Sequence, residues 1–499
     1  MHVLKFFVVS SSETLEKTRV FPVIGLEVHA QLLTKSKIFC ACPVTVGAPP
    51  NSATCPVCLG FPGTLPVLNR EAVALAMRLA LAVGATVHRD SRFARKNYFY
   101  PDLPKGYQIS QYDRPFATGG SIEIDTANGP KTIRLVRIHL EEDAGKLLHE
   151  NPFDDVPNTV SLVDWNRAGV PLVEIVSEPD LRAPEEASAY LNELRRLLRY
   201  TEVSDADMEK GNLRCDANVS VRFSEGAPFG TRAEIKNLNS IRFVARALEH
   251  EVARQADVLA SGAPIIQETR LWDAAAGRTV LMRSKEEAHD YRYFPEPDLG
   301  ALIVDEAWIE ETARSLPELP RARRLRFVTQ YGIAAGDAET LVSARELADY
   351  FEDLAGRVAP RSAAVWVTGE VLRWMKERKL SPENARAFSV SPERLAGLLS
   401  LLESGEISAA SAKEVFGVMV DSPHDAAAIV RERGLGRISD TGALDAVVSE
   451  VVRENPSQVS LYRSGRTQTF SWFVGQVMKR TGGRADPASV RDALTRALR

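Results

Sequence analysis

Alternating apolar and polar residues mark several short strands in the first three hundred residues of the chain. From Val23 to Leu32 every even-numbered position is apolar, whereas Glu27, His29 and Gln31 occupy odd-numbered positions. Successive side chains of a strand point to opposite faces of its sheet, so this segment predicts a strand with one apolar and one polar face. The same alternation recurs in residues 172–176, 215–222 and 234–236. Their polar positions are Glu174, Asp216, Asn218, Ser220, Arg222, Glu234 and Lys236.

Strands of this kind fit an antiparallel sheet with one face on a core and the other face open. A solvated surface would explain the polar residues of any single strand. Their recurrence as Glu, His, Asp and Asn on several strands favours the floor of a site. A helix is predicted to begin at Pro184 and to cover the apolar face, because Tyr190, Leu194, Leu197 and Leu198 form an apolar stripe.

The amino-acid composition changes along the chain, and we predict four regions. An N-terminal extension covers residues 1–21, and a sheet-based catalytic domain covers 22–300. An Arg-, Ala-, Glu- and Leu-rich helical linker covers 301–402, and a helical tail covers 403–499.

Composition sets limits on the class of protein. The 499 residues suffice for two to four domains of about 100–200 residues each, and a net charge of −4 excludes a general polycation. The most apolar run, 72–85, contains Arg78 and is shorter than the roughly 20 residues that span a bilayer. The N-terminus also lacks the length and cleavage site of a secretory signal.

Four of the five cysteines lie between residues 40 and 58. The two close pairs, Cys40 with Cys42 and Cys55 with Cys58, have the spacing of a tetrahedral four-thiolate zinc site. Such a zinc would be structural, since four thiolates leave no open position; buried free thiols or a disulfide are the alternatives. Cys215 lies on an apolar strand face and is predicted to be a core residue. The pattern favours a reducing compartment, and we expect the cytoplasm.

Acidic residues and two histidines recur in the first region, several of them at predicted strand positions. They are Glu27, His29, the run His139–Asp143, Glu174, Glu178, Asp216 and Glu234. Carboxylates on strand positions suit Mg²⁺ or Mn²⁺ bridging the phosphates of ATP, whereas scattered surface acids are the alternative. Lys and Arg near residues 236, 270, 283–285 and 292 would neutralise charge in phosphoryl transfer. No P-loop or nucleophile motif is present, so a nucleotide would have to bind on the sheet.

The C-terminal segment from Ser457 to Arg499 is strongly basic. Its eight Lys and Arg residues and two Asp residues give a local charge of +6. Lys479, Arg480 and the nearby Arg484 follow an aromatic stretch, which fits contact with RNA phosphates. A solvated amphipathic helix explains the same pattern.

Several long motifs together resemble one family. They are Val23-Ile-Gly-Leu-Glu-Val-His29, Arg95-Lys-Asn-Tyr-Phe-Tyr-Pro-Asp102, Lys105-Gly-Tyr-Gln-Ile-Ser-Gln111, His139-Leu-Glu-Glu-Asp-Ala-Gly-Lys146, Pro171-Leu-Val-Glu-Ile-Val-Ser-Glu-Pro-Asp180, Gly211-Asn-Leu-Arg-Cys-Asp-Ala-Asn218, Glu234-Ile-Lys-Asn-Leu-Asn-Ser240 and Asp290-Tyr-Arg-Tyr-Phe-Pro-Glu-Pro-Asp298. The family is that of the B subunits of bacterial aspartyl-tRNA(Asn)/glutamyl-tRNA(Gln) amidotransferases. The resemblance runs from about residue 22 to the C-terminus.

The resemblance implies an α+β fold: a glutamine-synthetase-like antiparallel cradle, a helical linker and a YqeY-like tail that holds tRNA. It implies ATP-dependent transamidation of Glu-tRNA(Gln), Asp-tRNA(Asn) or both. The side-chain carboxylate is phosphorylated, and ammonia then displaces phosphate. The implied partners are an amidase-fold glutaminase A subunit and a small C subunit, forming a heterotrimer.

Site residues follow from the matching motifs. The resemblance implies Mg²⁺ ligands at Glu27, His29, Glu142 and Glu174, and these four with Lys236 form the predicted catalytic set. Asp216 and Glu234 are weaker additions from the acidic strand positions. For the ATP phosphates we predict Lys236, Arg283, Lys285 and Arg292, and for tRNA Lys479, Arg480 and Arg484.

Two other functions remain open from the sequence. A free-standing ATP-dependent carboxylate–amine ligase would need the cradle but not the basic tail. A non-catalytic RNA-binding scaffold would need zinc and tail but no working metal site. The presence of Glu27, His29, Glu142 and Glu174 argues against it.

Overall fold

The computed structural model describes residues 20–148, 160–284, 291–437 and 441–499. The chain divides into two compact units, Met1–Leu319 and Pro320–Arg499. Each unit is built around its own apolar cores. Within the described residues, no helix combines the length and the apolar character needed to cross a membrane.

Among the described residues, the first unit contains all the strands and four helices. The strands are β1 (Phe21–Gln31), β2 (Thr86–Val87), β3 (Asp90–Ser91), β4 (Ala94–Asn97), β5 (Tyr107–Ser110), β6 (Ala117–Thr118), β7 (Ser121–Thr126), β8 (Gly129–Glu142), β9 (Lys146–Leu148), β10 (Leu162–Asp164), β11 (Pro171–Ser177), β12 (Leu213–Arg222), β13 (Ala233–Leu238), β14 (Glu268–Asp273), β15 (Arg278–Ser284), β16 (Phe294–Pro295) and β17 (Leu302–Ile303). The helices are α1 (Arg70–Ala82), α2 (Pro184–Tyr200), α3 (Ile241–Ala260) and α4 (Glu306–Ser315).

A ten-stranded sheet organises this unit. Nine strands follow the order β15-β14-β13-β12-β1-β11-β8-β6-β2, and β7 pairs with β8. The pairings are antiparallel except that β13 and β14 run parallel. A parallel pair needs a long crossover, and α3 supplies it between these two strands. The sheet predicted to be antiparallel is therefore antiparallel except for one pair, β13 with β14, which strand patterns alone did not reveal.

The apolar face of the sheet packs under helices as predicted. Ile24, Leu26 and Val28 of β1 are almost completely buried. Helix α2 begins at Pro184, and its predicted stripe is confirmed because Tyr190 and Leu194 are fully buried in the same core. Cys215 is also a core residue, at 2% exposure. Helices cover the apolar face of the sheet, so a functional site on the sheet would have to lie on its polar face.

The segment from residue 32 to residue 69 connects β1 to α1 without a regular element longer than an isolated bridge. Side-chain amides hold it in place. Asn51 Nδ2 donates to Val163 O at 3.1 Å, and the Asn166 Oδ1 accepts from Ala53 N at 2.8 Å. Irregular segments of this length are uncommon in compact domains unless they carry function. All four clustered cysteines lie within it.

The second unit is helical, as predicted. Its helices are α5 (Pro320–Tyr331), α6 (Ala335–Leu341), α7 (Arg345–Ala355), α8 (Pro360–Trp366), α9 (Leu372–Glu377), α10 (Pro392–Glu403), α11 (Ala409–Asp421), α12 (Ala426–Arg433), α13 (Thr441–Glu454), α14 (Pro456–Arg463), α15 (Gln468–Arg480) and α16 (Pro487–Leu498). A π-helical turn, Val367–Val371, joins α8 to α9, and a 3₁₀ turn, Pro382–Ala387, precedes α10.

Residues 301–319 group with the sheet-containing unit. Helix α4 packs against α1, and the guanidinium of Arg70 lies 3.9 Å from the centre of the Trp308 ring. The last four helices share a separate small core that includes Phe473, Val477 and Leu494. The three boundaries between the four regions predicted from the sequence stay a prediction.

Candidate active site

Strand pairing places four polar residues in one row on the polar face of the sheet. On β1, His29 lies opposite Arg214 of β12 on one side and opposite Glu174 of β11 on the other. Glu174 in turn lies opposite His139 of β8. Directly opposed residues of antiparallel strands point to the same face. The row therefore reads Arg214, His29, Glu174 and His139 across four neighbouring strands.

Three side chains of this region form a group with the spacing of metal ligands. His29 Nε2 lies 3.4 Å from Glu141 Oε1 and 3.5 Å from Glu174 Oε2. One donor atom of each residue lies within 4.8 Å of the others, so one ion could touch all three. His139 Nε2 contacts Glu174 Oε2 at 3.1 Å. We refer to His29, Glu141 and Glu174 as the triad.

The triad favours positive charge. Burial opposes protonation of His29, but its hydrogen bond and charge interaction with Glu174, together with Glu141, raise the pKa of its imidazole to about 9. Burial also disfavours the charged form of Glu174, yet the histidines beside it hold its pKa well below the usual range. A proton is stabilised here between two carboxylates. The same charge balance would stabilise a divalent cation.

A second acidic group lies one step along the strands from the triad. Glu27 is opposite Asp216, and the amide of Asn218 donates to Glu27 Oε1 at 2.9 Å. Lys236 Nζ lies 2.6 Å from Asp216 Oδ2 and 2.9 Å from Glu234 Oε1. Burial raises the pKa of Glu27, and the carboxylates around it raise that pKa further. Lys236 therefore neutralises only part of the negative charge.

A β-bulge brings Lys236 to these carboxylates. The register between β12 and β13 shifts between Cys215 and Ala217, next to Asp216. The following residue on β13, Asn237, has φ +65°, a left-handed value that Asn adopts more readily than most residues. Its side-chain amide donates to Trp272 O at 3.0 Å, which links the bulge to β14. Bulges of this kind re-aim side chains near active sites.

An ion-paired cluster lies at the other end of the polar face. Asp143, whose side chain is almost fully buried, accepts from Gln31 Nε2 at 3.1 Å. Arg214 Nη2 lies 2.8 Å from Asp143 Oδ2, and Arg167 Nε lies 3.5 Å from it. The triad thus lies between this cluster and the group around Lys236.

Lys96 of β4 adds a cation held by aromatic rings. Its ammonium lies 5.0 Å from the ring centre of Tyr291 and 5.7 Å from that of Tyr98. Although burial lowers the pKa of Lys96, the charges of Glu141 and other neighbours raise it overall. Lys96 therefore remains a cation in the surroundings of the triad.

The predicted metal ligands are only partly brought together. His29 and Glu174 belong to the triad, and Glu27 belongs to the neighbouring acidic group. Glu142 lies apart: its Oε1 contacts the Lys105 ammonium and accepts from Ile109 N at 2.8 Å. Its neighbour Glu141 instead lies at the triad. Glu142 and Lys105 line a pocket beside the cysteine-rich segment.

The other predicted phosphate ligands are less defined. Arg283 lies in β15, opposite Thr269, with its side chain outside the described part of the chain. Lys285 lies outside the described residues. Arg292 is exposed, and its carbonyl accepts from Asn97 Nδ2 at 2.8 Å. Of the four predicted phosphate ligands, Lys236 is the one that the described contacts join to the acidic floor.

The four clustered cysteines converge. The Sγ atoms of Cys40, Cys42, Cys55 and Cys58 all lie within 4.8 Å of one another. A hydrogen bond from Cys40 lowers the pKa of the Cys58 thiol to about 4, and the charge of Lys37 contributes. Lys37 Nζ is fully buried 3.6 Å from Cys58 Sγ. A stabilised thiolate in a four-sulfur group fits a tetrahedral zinc ion.

The predicted tRNA-binding residues lie in and after α15. Lys479 is exposed at the C-terminal end of that helix. Arg480 lies 2.6 Å from Glu454 and 3.7 Å from Glu450. Arg484 donates to Gly434 O at 2.8 Å and to Thr481 O at 3.1 Å. The three cations therefore differ in the ion pairs and hydrogen bonds that they make with other protein groups.

Glu141 belonged to the acidic run but not to the predicted ligand set, and Arg214 and Lys96 were not predicted; the sequence contained a signal for the first two. His139 and Glu141 alternate with the apolar residues Ile138 and Leu140, so strict alternation selects Glu141 rather than Glu142. Arg214 shares its face with Asp216, but the predicted strand began at Cys215 and the observed strand begins at Leu213. An error of two residues at the strand start was enough to hide it.

Comparison with known proteins adds a family to this geometry. A family model described as the GatB/GatE catalytic domain matches residues 22–310, and one described as a GatB domain matches residues 349–498. The B subunit of an aspartyl/glutamyl-tRNA(Asn/Gln) amidotransferase from Chlorobium phaeobacteroides is 52% identical over 95% of this chain and 98% of its own length. A protein of the same name from Myxococcus xanthus is 52% identical over 96% of this chain and 98% of its own length. The first model covers more than half of the chain and the relatives span nearly all of it, so the chain belongs to the GatB/GatE family of amidotransferase B subunits.

Proposed function

We propose that this chain catalyses the ATP-dependent amidation of Glu on tRNA(Gln), of Asp on tRNA(Asn), or of both. The observation that carries the proposal is the polar floor, where the triad lies between the Lys236 group and the Arg214–Asp143 pair. The names of its relatives supply the substrate class. On this floor the phosphates of ATP and the side-chain carboxylate of the substrate could bind next to each other.

The first step activates an unreactive group. An oxygen of the substrate's side-chain carboxylate attacks the γ-phosphorus of ATP, the bond from that phosphorus to the β–γ bridging oxygen breaks, and ADP leaves. The products are ADP and an acyl phosphate on the aminoacyl-tRNA. Positively charged groups around the transferred phosphoryl group lower the barrier for this reaction. In this floor Lys236 and Lys96 are candidates for that role.

A magnesium site at the triad fits the residues present. His29, Glu141 and Glu174 would hold the ion, and Glu27, Asp216 and Glu234 form a neighbouring acidic group. When bound, Mg²⁺ would neutralise phosphate charge and favour departure of the leaving oxygen. The triad replaces Glu142 by Glu141 relative to the ligand set expected from family resemblance. Glu142 instead neutralises Lys105.

The second step forms the amide. The lone pair of ammonia attacks the acyl carbon, the carbon–oxygen bond to phosphate breaks, and inorganic phosphate leaves. One proton must leave the nitrogen as the neutral amide forms. We propose that a glutaminase A subunit, clamped by a small C subunit, supplies the ammonia, because no nucleophile motif for glutamine hydrolysis is present in this chain.

The remaining parts would support this chemistry. We propose that a zinc ion held by the four cysteines orders the segment between β1 and α1. The sheet unit would be a glutamine-synthetase-like cradle over residues 22–300, with residues 301–402 as linker and 403–499 as a YqeY-like, tRNA-binding tail. Reduced zinc-binding thiols suit a cytoplasmic location.

Reconstitution of the complete complex tests the proposal. The wild-type chain, assembled with its A and C subunits, is incubated with ATP, Mg²⁺, ammonium chloride and Glu-tRNA(Gln) or Asp-tRNA(Asn). We expect ADP and amidated aminoacyl-tRNA in equal amounts, and Glu174→Gln should abolish both while leaving glutaminase activity intact.

Two controls make the result specific. Uncharged tRNA should give no aminoacyl phosphate and no amide. Formation of Gln-tRNA or Asn-tRNA without ATP consumption, or wild-type turnover on free glutamate in preference to aminoacyl-tRNA, would overturn the proposal.

A further inference from the structure

We propose that Arg214 binds the side-chain carboxylate of the aminoacyl group and orients it for phosphorylation. The inference rests on the proposed function and adds the residue that would recognise the acceptor. Arg214 lies directly opposite His29 on the neighbouring strand and points to the same face. The strand register therefore places the positive charge of Arg214 next to the triad.

One edge of the guanidinium faces a buried carboxylate. Arg214 Nη2 lies 2.8 Å from Asp143 Oδ2 in an ion pair, and Nε and Nη2 are both shielded from solvent without a hydrogen-bond partner among the described residues. Asp143 is held in turn by Gln31 Nε2 at 3.1 Å, and its side chain is only 2% exposed. The ion pair therefore holds the guanidinium at a buried carboxylate. A guanidinium held this way is pre-organised, so little freedom is lost when it binds a ligand.

The other edge remains open. The side chain of Arg214 is 36% exposed even though Nε and Nη2 are covered, so the exposed nitrogen is Nη1. Among the described residues, no group accepts a hydrogen bond from Nη1. An arginine is always charged, and this one has an exposed donor next to a candidate metal site. An anionic oxygen is the ligand that suits it.

The position of Arg214 selects the acceptor carboxylate over the phosphates of ATP. Lys236 and the acids Glu27, Asp216 and Glu234 lie on one side of the triad. Arg214 contacts Asp143 on the other side of the triad. Phosphoryl transfer needs its entering and leaving oxygens roughly in line on opposite sides of the phosphorus. With ADP leaving toward the Lys236 group, the attacking carboxylate would approach from Arg214.

Arg167 provides a matched control. It also contacts Asp143, at 3.5 Å, but its Nε and Nη2 already donate to Ala144 O at 3.0 Å and Gly145 O at 2.6 Å. It is a structural cation on the same carboxylate. Arg214→Lys and Arg167→Lys each keep the charge and remove the planar fork, so a difference between them reports binding rather than general damage.

The experiment measures the reconstituted complex with saturating ammonium chloride, at varied ATP and varied Glu-tRNA(Gln) or Asp-tRNA(Asn). We expect Arg214→Lys to lower kcat/KM for the aminoacyl-tRNA by about 10- to 100-fold, with KM for ATP changed less than about twofold. Arg167→Lys should remain within about twofold of wild type in both. For Arg214→Ala, added guanidinium chloride at low millimolar concentration should restore part of the rate.

Three outcomes are informative. A rise in KM for ATP in Arg214→Lys, with no change for aminoacyl-tRNA, would assign the cation to the nucleotide and overturn the inference. Equal losses in both lysine variants, without guanidinium rescue, would make Arg214 a structural residue. If wild type itself forms no ADP with aminoacyl-tRNA, the proposed function fails; an active wild type with an unaffected Arg214→Lys refutes the inference alone.

Discussion

Glu141 and Glu142 are adjacent on strand β8, yet their carboxylates lie on opposite faces of the sheet. Glu141 Oε1 lies 3.4 Å from His29 Nε2 at the triad. Glu142 pairs with Lys105 and accepts from Ile109 N at 2.8 Å. The pleat of a strand turns consecutive side chains to opposite faces, so one residue of difference decides which carboxylate can reach a metal ion.

Metal binding should distinguish the two residues. We expect Glu141→Gln to weaken Mn²⁺ binding by at least about tenfold, because it removes a ligand of the triad. Glu142→Gln should leave Mn²⁺ affinity within about threefold and instead lower stability, because Lys105 would lose its buried partner. Isothermal titration of the reconstituted complex measures the affinity and thermal denaturation the stability. A reversed pattern of Mn²⁺ affinity would return Glu142 to the ligand set.

Zinc content should depend on the four clustered cysteines alone. Cys55→Ser removes one thiolate of the group, so we expect zinc to fall from about one ion per chain to well below half. Cys215→Ala is the matched control, since Cys215 is a buried thiol in β12 away from the cluster. Elemental analysis of the purified protein measures the zinc. Retention of a full zinc ion in Cys55→Ser would contradict a four-thiolate site.

A buried carboxylate couples helix α3 to the β14–β15 hairpin. Glu251 is fully buried and accepts from Arg254 Nη2 at 2.6 Å and from Thr279 Oγ1 at 2.9 Å. Burial alone would raise the pKa of Glu251, but these hydrogen bonds and that of Gln255 hold it below the usual range. Its ionised form therefore stabilises the folded state.

Acid should remove the contribution of Glu251. We expect Glu251→Gln to cost about 1–3 kcal/mol at pH 7, because it removes the buried charge that Arg254 and Arg270 face and leaves Glu268 as their remaining carboxylate partner. The folded-state pKa is below the ordinary 4.5, so the wild-type advantage is complete above pH 4.5 and shrinks as pH falls further. Urea unfolding across this range tests it. Glu249→Gln, an exposed change on the same helix, should show no such dependence.

The three cations of the tail should contribute unequally to tRNA binding. Lys479 is exposed with no ion-pair partner among the described residues, so Lys479→Ala should weaken binding and reduce the slope of log affinity against log salt by about one. Arg480→Ala should have a smaller effect, because Glu450 and Glu454 already offset its charge. Filter binding at several salt concentrations measures both slopes.

Arg484 should act mainly through stability. Its guanidinium donates to two backbone carbonyls, those of Gly434 and Thr481. We expect Arg484→Ala to lower the melting temperature of the helical unit while changing the salt slope by less than Lys479→Ala does. The opposite ranking would indicate that Arg484 leaves these carbonyls to contact RNA.

The sequence by itself determined much of this protein. Alternation predicted the four central strands and their polar faces, and the apolar stripe predicted α2, because burial of an apolar face imposes a fixed period on a strand or helix. Local spacing also grouped the four cysteines, since ligands close in the chain must be close in space. These features need no information about distant residues.

The tertiary structure determined the features that depend on pairing between strands distant in the sequence. The choice of Glu141 over Glu142, the placement of Arg214 beside His29 and the anchoring of Arg214 by Asp143 depend on strand register and strand ends. A shift of one residue reverses every side chain in a strand, and sequence patterns are least certain at the ends of elements. Residues 185 positions apart, such as His29 and Arg214, become neighbours only when the sheet forms.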